Sequence, residues 1–226
     1  MAYLLNIETA TKNCSVSLSA DGQLLDVLEY AGENYSHAEK LHVFIKQILK
    51  QNQLKTHDLD AVAVSMGPGS YTGLRIGVSA AKGLSYALNI PLIAISTLKV
   101  LARKIHTNDA YIIPVIDARR MEVYSAVYDA QYHLVRKIKA DLLEENPFES
   151  YLNKKTVIFV GDAVPKLQNS LSHPNAVFSK EKFPSAKEMH QPSYQKFLKQ
   201  DFENIAYFEP FYLKDFIISS KKYKFT

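Results

Sequence analysis

The sequence predicts an α/β fold of two related lobes, each with a mixed sheet and flanking helices in the order β-β-β-α-β-α. Three observations carry this. Short β-rich runs alternate with amphipathic helical stretches, the pattern of layered α/β folds. The same element order occurs twice along the 226 residues. Short stretches also align between the halves: Ile7-Glu8 with Ile116-Asp117 at an offset of 109, and Ser19-Ala20-Asp21 with Val127-Tyr128-Asp129 at an offset of 108. The boundary falls near residues 100–110, giving a first lobe over 1–105 and a smaller, degenerate second lobe over 106–226 with an irregular tail.

In the first lobe, residues 3–9, 14–20 and 23–31 read as a β-meander, with Val16 and Leu18 alternating with serines and Asp21-Gly22 as a two-residue hairpin turn. Ser36 and Glu39 have the spacing of a capping box. After it, Leu41, Phe44, Ile45, Ile48 and Leu49 form one apolar helix face that runs to about Gln53. Residues 61–66 read as a buried parallel strand. Gly67-Pro68-Gly69-Ser70 leads into a second helix over 72–88, stopped by Asn89 and Pro91. A strand at 92–95 and a helix at 97–106 close the lobe.

The pattern then restarts. Strands are predicted at 112–117, 122–128 and 133–140, a helix at 147–152, a strand at 156–160 and a helix at 164–171. Residues 173–192 are rich in Pro, Ser and Lys and read as loop. A helix is predicted at 194–205, and the cluster Tyr207-Phe208-Phe211-Tyr212-Leu213 packs back onto the core.

Hydrophobic residues make up 47% and charged residues 22%, which suits a folded core and excludes disorder. One cysteine, Cys14, rules out an intrachain disulfide and a cysteine-based zinc site. No basic leader precedes the first apolar run, and no stretch approaches the ~20 apolar residues of a membrane span. The expectation is a cytoplasmic protein without membrane contact. The formal charge of +4 lies wholly in residues 101–226, and Ser219-Ser220-Lys221-Lys222-Tyr223-Lys224 concentrates part of it. A solvated terminus and a nucleic-acid contact are both open readings of that tail.

Glu8 and Asp117 end the first strands of their lobes, where acidic groups can face a nucleotide cleft and hold a metal or orient a nucleophile; the alternative is that each caps a turn. The run Glu8-Thr9-Ala10-Thr11-Lys12-Asn13 has no glycine to bring backbone N–H groups onto a phosphate. The loop 67–75 joins strand to helix and could meet an anion, yet it is neither a P-loop nor a dinucleotide fingerprint. Gly73, Gly77 and Ala81 form a smooth stripe that admits another backbone closely. With only Arg75, Ser79 and Lys82 polar, this helix is either a core helix or one covered by a second subunit. His37 and His42 diverge around a helix and the other histidines are scattered, so no metal site is expected. No Gly-x-Ser-x-Gly elbow surrounds Ser70, which argues against a peptidase.

Several of these motifs together resemble the TsaB (YeaZ) family. They are Asn6-Ile7-Glu8-Thr9-Ala10-Thr11, Ser36-His37-Ala38-Glu39, Met66-Gly67-Pro68-Gly69-Ser70-Tyr71-Thr72-Gly73-Leu74-Arg75-Ile76-Gly77 with Ala81-Lys82-Gly83-Leu84, and Asp117-Ala118-Arg119-Arg120-Met121-Glu122-Val123-Tyr124. The resemblance covers the first ~130 residues and, near the end, Tyr212-Leu213-Lys214. Position 8 is more often Asp in the family, and position 71 more often Phe.

The resemblance implies an actin-like ATPase (ASKHA) superfamily fold. It also implies a role in making N6-threonylcarbamoyladenosine beside the anticodon of ANN-decoding tRNAs. The family's member is a non-catalytic subunit that dimerises with the transferase TsaD, with TsaE joining them and tRNA reached through the complex. A homodimer is expected in isolation. No cofactor is required, a weak or vestigial nucleotide site is allowed, and no metal is expected. The family's dimer interface uses the first two helices of the first lobe. Carried over, the contact residues are Leu41, Phe44, Ile45, Ile48, Gly73, Arg75, Ile76, Gly77, Ala80, Ala81 and Leu84, and the vestigial cleft holds Glu8, Thr9, Asp117 and Arg119. An active actin-like ATPase or phosphotransferase is the alternative reading.

Overall fold

A computed structural model describes residues 1–32 and 37–213. The proposed cap at Ser36 and the basic run 219–224 lie outside these residues. Strands β1 (Tyr3–Glu8), β2 (Asn13–Ala20) and β3 (Gln23–Ala31) form the antiparallel meander. At its second turn Asp21 and Gly22 have φ of 47° and 77°, the left-handed pair that a two-residue hairpin demands and that Asp-Gly adopts readily. Helix α1 (His37–Gln51) leads to β4 (Ala61–Ser65), which runs parallel to β1. Helix α2 (Tyr71–Leu88) then leads to β5 (Leu92–Ile95), parallel to β4. The sheet order is β3-β2-β1-β4-β5.

The short helix α3 (Thr97–Ala102) leads into the second sheet. There β6 (Tyr111–Asp117), β7 (Glu122–Tyr128) and β8 (Leu134–Leu142) repeat the antiparallel meander. After α4 (Glu149–Leu152), β9 (Val157–Val160) pairs parallel with β6; after α5 (Val164–Ser170), β10 (Ala176–Phe178) pairs parallel with β9. The order β10-β9-β6-β7-β8 repeats the first sheet strand for strand. Two sheets of this order and polarity, in series, make the fold an actin-like one. Helix α3 serves both lobes. Its Leu98, Leu101 and Ala102 pack with Ile112, Ile116 and Tyr128, while Val100 packs with Ile93 and Met189.

Two differences from the sequence reading concern residues 173–213. Strand β10 lies inside the stretch read as loop, because three residues are too few to show a period. Helix α6 (His190–Leu198) begins and ends earlier than the predicted 194–205. Pro192 stands in its first turn, where the missing N–H costs no helical hydrogen bond.

A third difference is larger. Over the described residues 185–213 the chain leaves the second lobe and covers the first sheet, so the stretch expected as the second lobe is not contiguous. Ala186 and Met189 pack with Leu4, Ala61, Ala63 and Ile93. Glu203 bridges to Leu92, Ile205 and Phe208 join the core beneath α1, and the Phe211 N–H donates to the Met66 carbonyl (2.7 Å). This return explains the serines of β2. Cys14, Val16 and Leu18 face α1, whereas Ser15 and Ser17, equally buried, bond the returning backbone. The Ala186 N–H donates to Ser15 Oγ, and Ser17 Oγ donates to the Ala186 carbonyl, both at 2.7 Å. Ser193 Oγ donates to Asn6 Oδ1 (2.7 Å) on the same face.

Candidate functional site

The loop after β1 fits against the glycine loop and helix α2 with little space left between them. Glu8 is fully buried; its Oε1 accepts the Ala10 N–H (2.6 Å). The Ala10 carbonyl accepts the Ser70 N–H (2.7 Å), and the Ser70 hydroxyl caps α2 by accepting the Gly73 N–H (3.3 Å). Thr9 Oγ1 donates to the Gly73 carbonyl (2.8 Å). A Cβ at Gly69 would collide with the Ala10 carbonyl, one at Gly73 with the Thr9 carbonyl, and one at Gly77 with Thr9 Oγ1. Gly67, at φ +112°, lies against the Phe211 carbonyl and exchanges hydrogen bonds with Thr97. The glycine signature is therefore a packing junction. A phosphate here would need free backbone N–H groups, and those of Ala10, Ser70 and Gly73 are already taken. These three donors are not available to a nucleotide phosphate.

Burial pushes the Glu8 carboxyl up to about 7, against the opposing pull of the Ala10 N–H and the Ser65 hydroxyl. Asp117 ends β6 in a different setting. It is half-exposed, accepts the Arg119 N–H (2.6 Å) and pairs with Lys166 (2.5 Å). Its own N–H donates to Asp162 (3.0 Å), whose carboxyl burial raises to about 6. The four cleft residues are thus bonded as two separate sets: Glu8 and Thr9 within the first lobe, Asp117 and Arg119 within the second.

The expected interface residues also divide. Leu41, Ile45 and Ile48 point into their own core with Leu5, Ile7, Val16 and Val78. Ala81 is fully buried there too, while Gly73 and Gly77 meet the Thr9 segment. The backbone that the small-residue stripe admits closely is the chain's own, so these six offer nothing to a partner. Phe44 is half-buried against the same core. Ile76, Ala80 and Leu84 are likewise partly buried against it, and their open sides, with the exposed Arg75 and with Ala38, His42, Ser79 and Gly83, line a groove of ≈ 620 Å³ between α1 and α2. Ala38, His42, Ser79 and Gly83 lie outside the expected set. A helix apolar on almost every side has no periodicity to separate its core face from its groove face.

At one end of the groove, Arg75 stacks 4.0 Å over the Tyr71 ring and donates from Nε to the Tyr212 hydroxyl (3.3 Å). The two tyrosine rings are 5.0 Å apart. The Tyr212 hydroxyl, foremost, holds the Arg75 guanidinium above its ordinary range. His37 is buried, with Nε2 donating to the Thr11 carbonyl (2.8 Å), and burial lowers its pKa. Among the described residues no three His, Cys, Asp or Glu side chains stand together as a metal site, and no helix is long and apolar enough to cross a membrane.

Fold and site together define a two-lobed actin-like protein whose first phosphate-type loop is packed against its own backbone and Thr9 and whose helix pair carries an open groove. A family model described as TsaD, tRNA N6-adenosine threonylcarbamoyltransferase, matches residues 33–221. The chain is 33% identical over 139 residues to the tRNA threonylcarbamoyladenosine biosynthesis protein TsaB of Bacillus subtilis, 61% of this chain but only 60% of that relative. It is 32% identical over 170 residues to the Haemophilus influenzae protein of the same name, covering 74% and 68%. The match to that of Buchnera aphidicola subsp. Schizaphis graminum is 31% over 196 residues, covering 82% and 90%. The solved structure of YeaZ from Pseudomonas aeruginosa shares the fold, with a TM-score of 0.82 at 24% identity over 94% of this chain and 100% of that one. This chain belongs to the TsaB (YeaZ) family.

Proposed function

We propose that the protein is a non-catalytic subunit in the synthesis of N6-threonylcarbamoyladenosine at the adenosine 3′ of the anticodon in ANN-decoding tRNAs. It dimerises with the transferase TsaD and activates it, TsaE joins the pair, and tRNA is reached through the complex. It needs no cofactor of its own. One observation carries the reading. The Ala10, Ser70 and Gly73 N–H groups of the loop that would hold a phosphate are bonded internally, whereas the α1–α2 groove, with Ile76, Ala80 and Leu84, is left without a cover. Such a molecule has a surface to offer and no prepared site for chemistry. Ser70 likewise serves as the cap of α2, which accounts for it without a peptidase role.

The test is light scattering behind a sizing column, on the chain mixed with the TsaD of the same cell. A peak at the summed mass of one copy of each is expected. Ile76→Asp should abolish that peak, and because Ile76 also touches the core, unchanged circular dichroism must accompany the loss. No mixed species, even with TsaE and nucleotide added, would sink the proposal.

A further inference from the structure

Basic side chains gather where α3 meets α6. Lys99 and Arg103, four residues apart, share one face of α3 and its C-terminal cap. Arg103 donates to the Gln191 side chain in the first turn of α6 and stacks 4.8 Å over the Tyr132 ring. Lys196 and Lys199 stand on the last turn of α6 and its cap. Lys196 Nζ donates to the Ala94 carbonyl of β5 (3.1 Å), three residues before α3 begins.

The carboxylates nearby are unevenly shared. Asp201 (3.2 Å) and Glu203 (3.8 Å) both go to Lys196, and Glu188 acts on Arg103 only from a distance. Among the described residues Lys99, Arg103 and Lys199 form no ion pair. Lys99 is half-buried, and its ammonium is pushed below its ordinary range by burial and then by Arg103, Lys196 and Lys199, all of them positive. Leu98, Leu101 and Ala102 make the core face of α3, so the core does not require a lysine at 99. Like charges gathered in this way oppose folding, and an anion that neutralises them offsets the cost.

The shape of that anion follows from the spacing. Arg103 meets α6 at Gln191 and Lys199 lies just past its last turn, about 12 Å further along the axis at 1.5 Å per residue. Cations strung over that length suit successive phosphates on a chain better than one small ion. Phe202, three residues past Lys199, is 39% exposed and stands 6.1 Å from the Phe197 ring, which leaves it a face on which a base can stack.

We infer that the face made by α3 and α6 binds the backbone of RNA directly, with Lys99, Arg103 and Lys199 on phosphates and Phe202 against a base. The inference rests on the reading that the chain works in a complex on tRNA, and adds that this chain touches the RNA itself. Arg103, held by Gln191 and Tyr132, offers a fixed fork; Lys199, exposed on a flexible stem, follows the strand.

Fluorescence anisotropy of a labelled tRNA transcript, titrated with the full chain, tests this. The wild type should bind at low salt and weaken steeply as salt rises. Lys99→Gln combined with Lys199→Gln should weaken binding roughly tenfold or more and lower the slope of log affinity against log salt by about 2. Phe202→Ala should weaken it roughly fivefold. Should Lys99→Gln fail to fold by circular dichroism, Lys199→Gln alone, at an exposed position, should still lower the slope by about 1. Lys137→Gln with Lys139→Gln removes the same charge from exposed positions on β8 and should stay within about twofold of wild type. A wild type that binds no tRNA at low salt, or patch variants with unchanged affinity and slope, overturns the inference. So does a β8 variant that loses as much, since net charge alone would then be responsible. Phosphatidylserine vesicles bound by the wild type and released by the double variant, with tRNA binding unmoved, would assign the face to a membrane instead. The sizing column keeps the two proposals apart: the double variant should still give the mixed peak with TsaD, and a wild type without that peak sinks the complex while the RNA contact stands or falls on its own titration.

Discussion

Glu8 and Asp117 end the first strands of two sheets with the same order and polarity. One is sealed beneath the helices of its lobe; the other is half-exposed and paired with a lysine. Topology put a carboxylate in the same place twice, and packing gave each a different physics. In the first lobe, glycines at 69, 73 and 77 let the loop after β1 sink onto α2 until no solvent remained. In the second, the turn carries Arg119 and Arg120 with φ of 67° and 49°, and stays at the surface. A shared position in a duplicated fold thus says where a side chain begins, and burial says what it can do.

The largest effect should come from refilling the close contact in the first lobe. Gly73→Val drives two methyl groups into the Thr9 carbonyl, a backbone atom that cannot swing aside, and should cost about 3 kcal/mol in urea unfolding. A midpoint unchanged from wild type would mean that the loop after β1 yields easily.

Next comes the pH dependence of the buried acid. The folded state holds the Glu8 proton up to about pH 7, against 4.5 for the ordinary group. Folded protein therefore binds this proton more tightly than the unfolded chain does. Its contribution is fully present below about pH 4.5 and is lost as the pH rises towards 7. Glu8→Gln keeps the acceptor for the Ala10 N–H and has no proton to lose. It should gain up to roughly 3 kcal/mol on the wild type between those limits. Parallel stability profiles for the two proteins would show that Glu8 ionises freely.

Asp117 should give the smallest effect. Its pair with Lys166 is open to water and screened by salt, so Asp117→Asn should cost less than ~1 kcal/mol. A larger loss would place the second turn under the same packing constraint as the first, and the contrast between the lobes would fail.

Local signals were legible in the sequence wherever one period dominated. The stripe of Leu41, Ile45, Ile48 and Leu49 specified α1, and Asp21-Gly22 specified the hairpin turn. The doubled element order was visible without any contact being known. The groove was not, because α2 is apolar on both its core face and its open face. The serines of β2 were also opaque: alternation with Val16 and Leu18 reads as a solvated face, and only the return of residues 185–193 buries it. That return left no mark in a stretch whose Pro, Ser and Lys content describes the local backbone and not its destination. The aromatic cluster after 207 was more telling, since Phe208 and Phe211 do reach the first lobe.

The return has a consequence for synthesis. Ser193 bonds Asn6 and Pro184 bonds Asn13, pairs separated by 187 and 171 residues. A ribosome delivers the first sheet early and its covering segment late. While the second lobe is being made, the serine face of β2 and the side chains of Leu4, Ala61 and Ile93 wait without their lid. The lobe that is born first is thus the one completed last, and a nascent chain halted before Ser185 would present an unfinished sheet to whatever chaperone meets it.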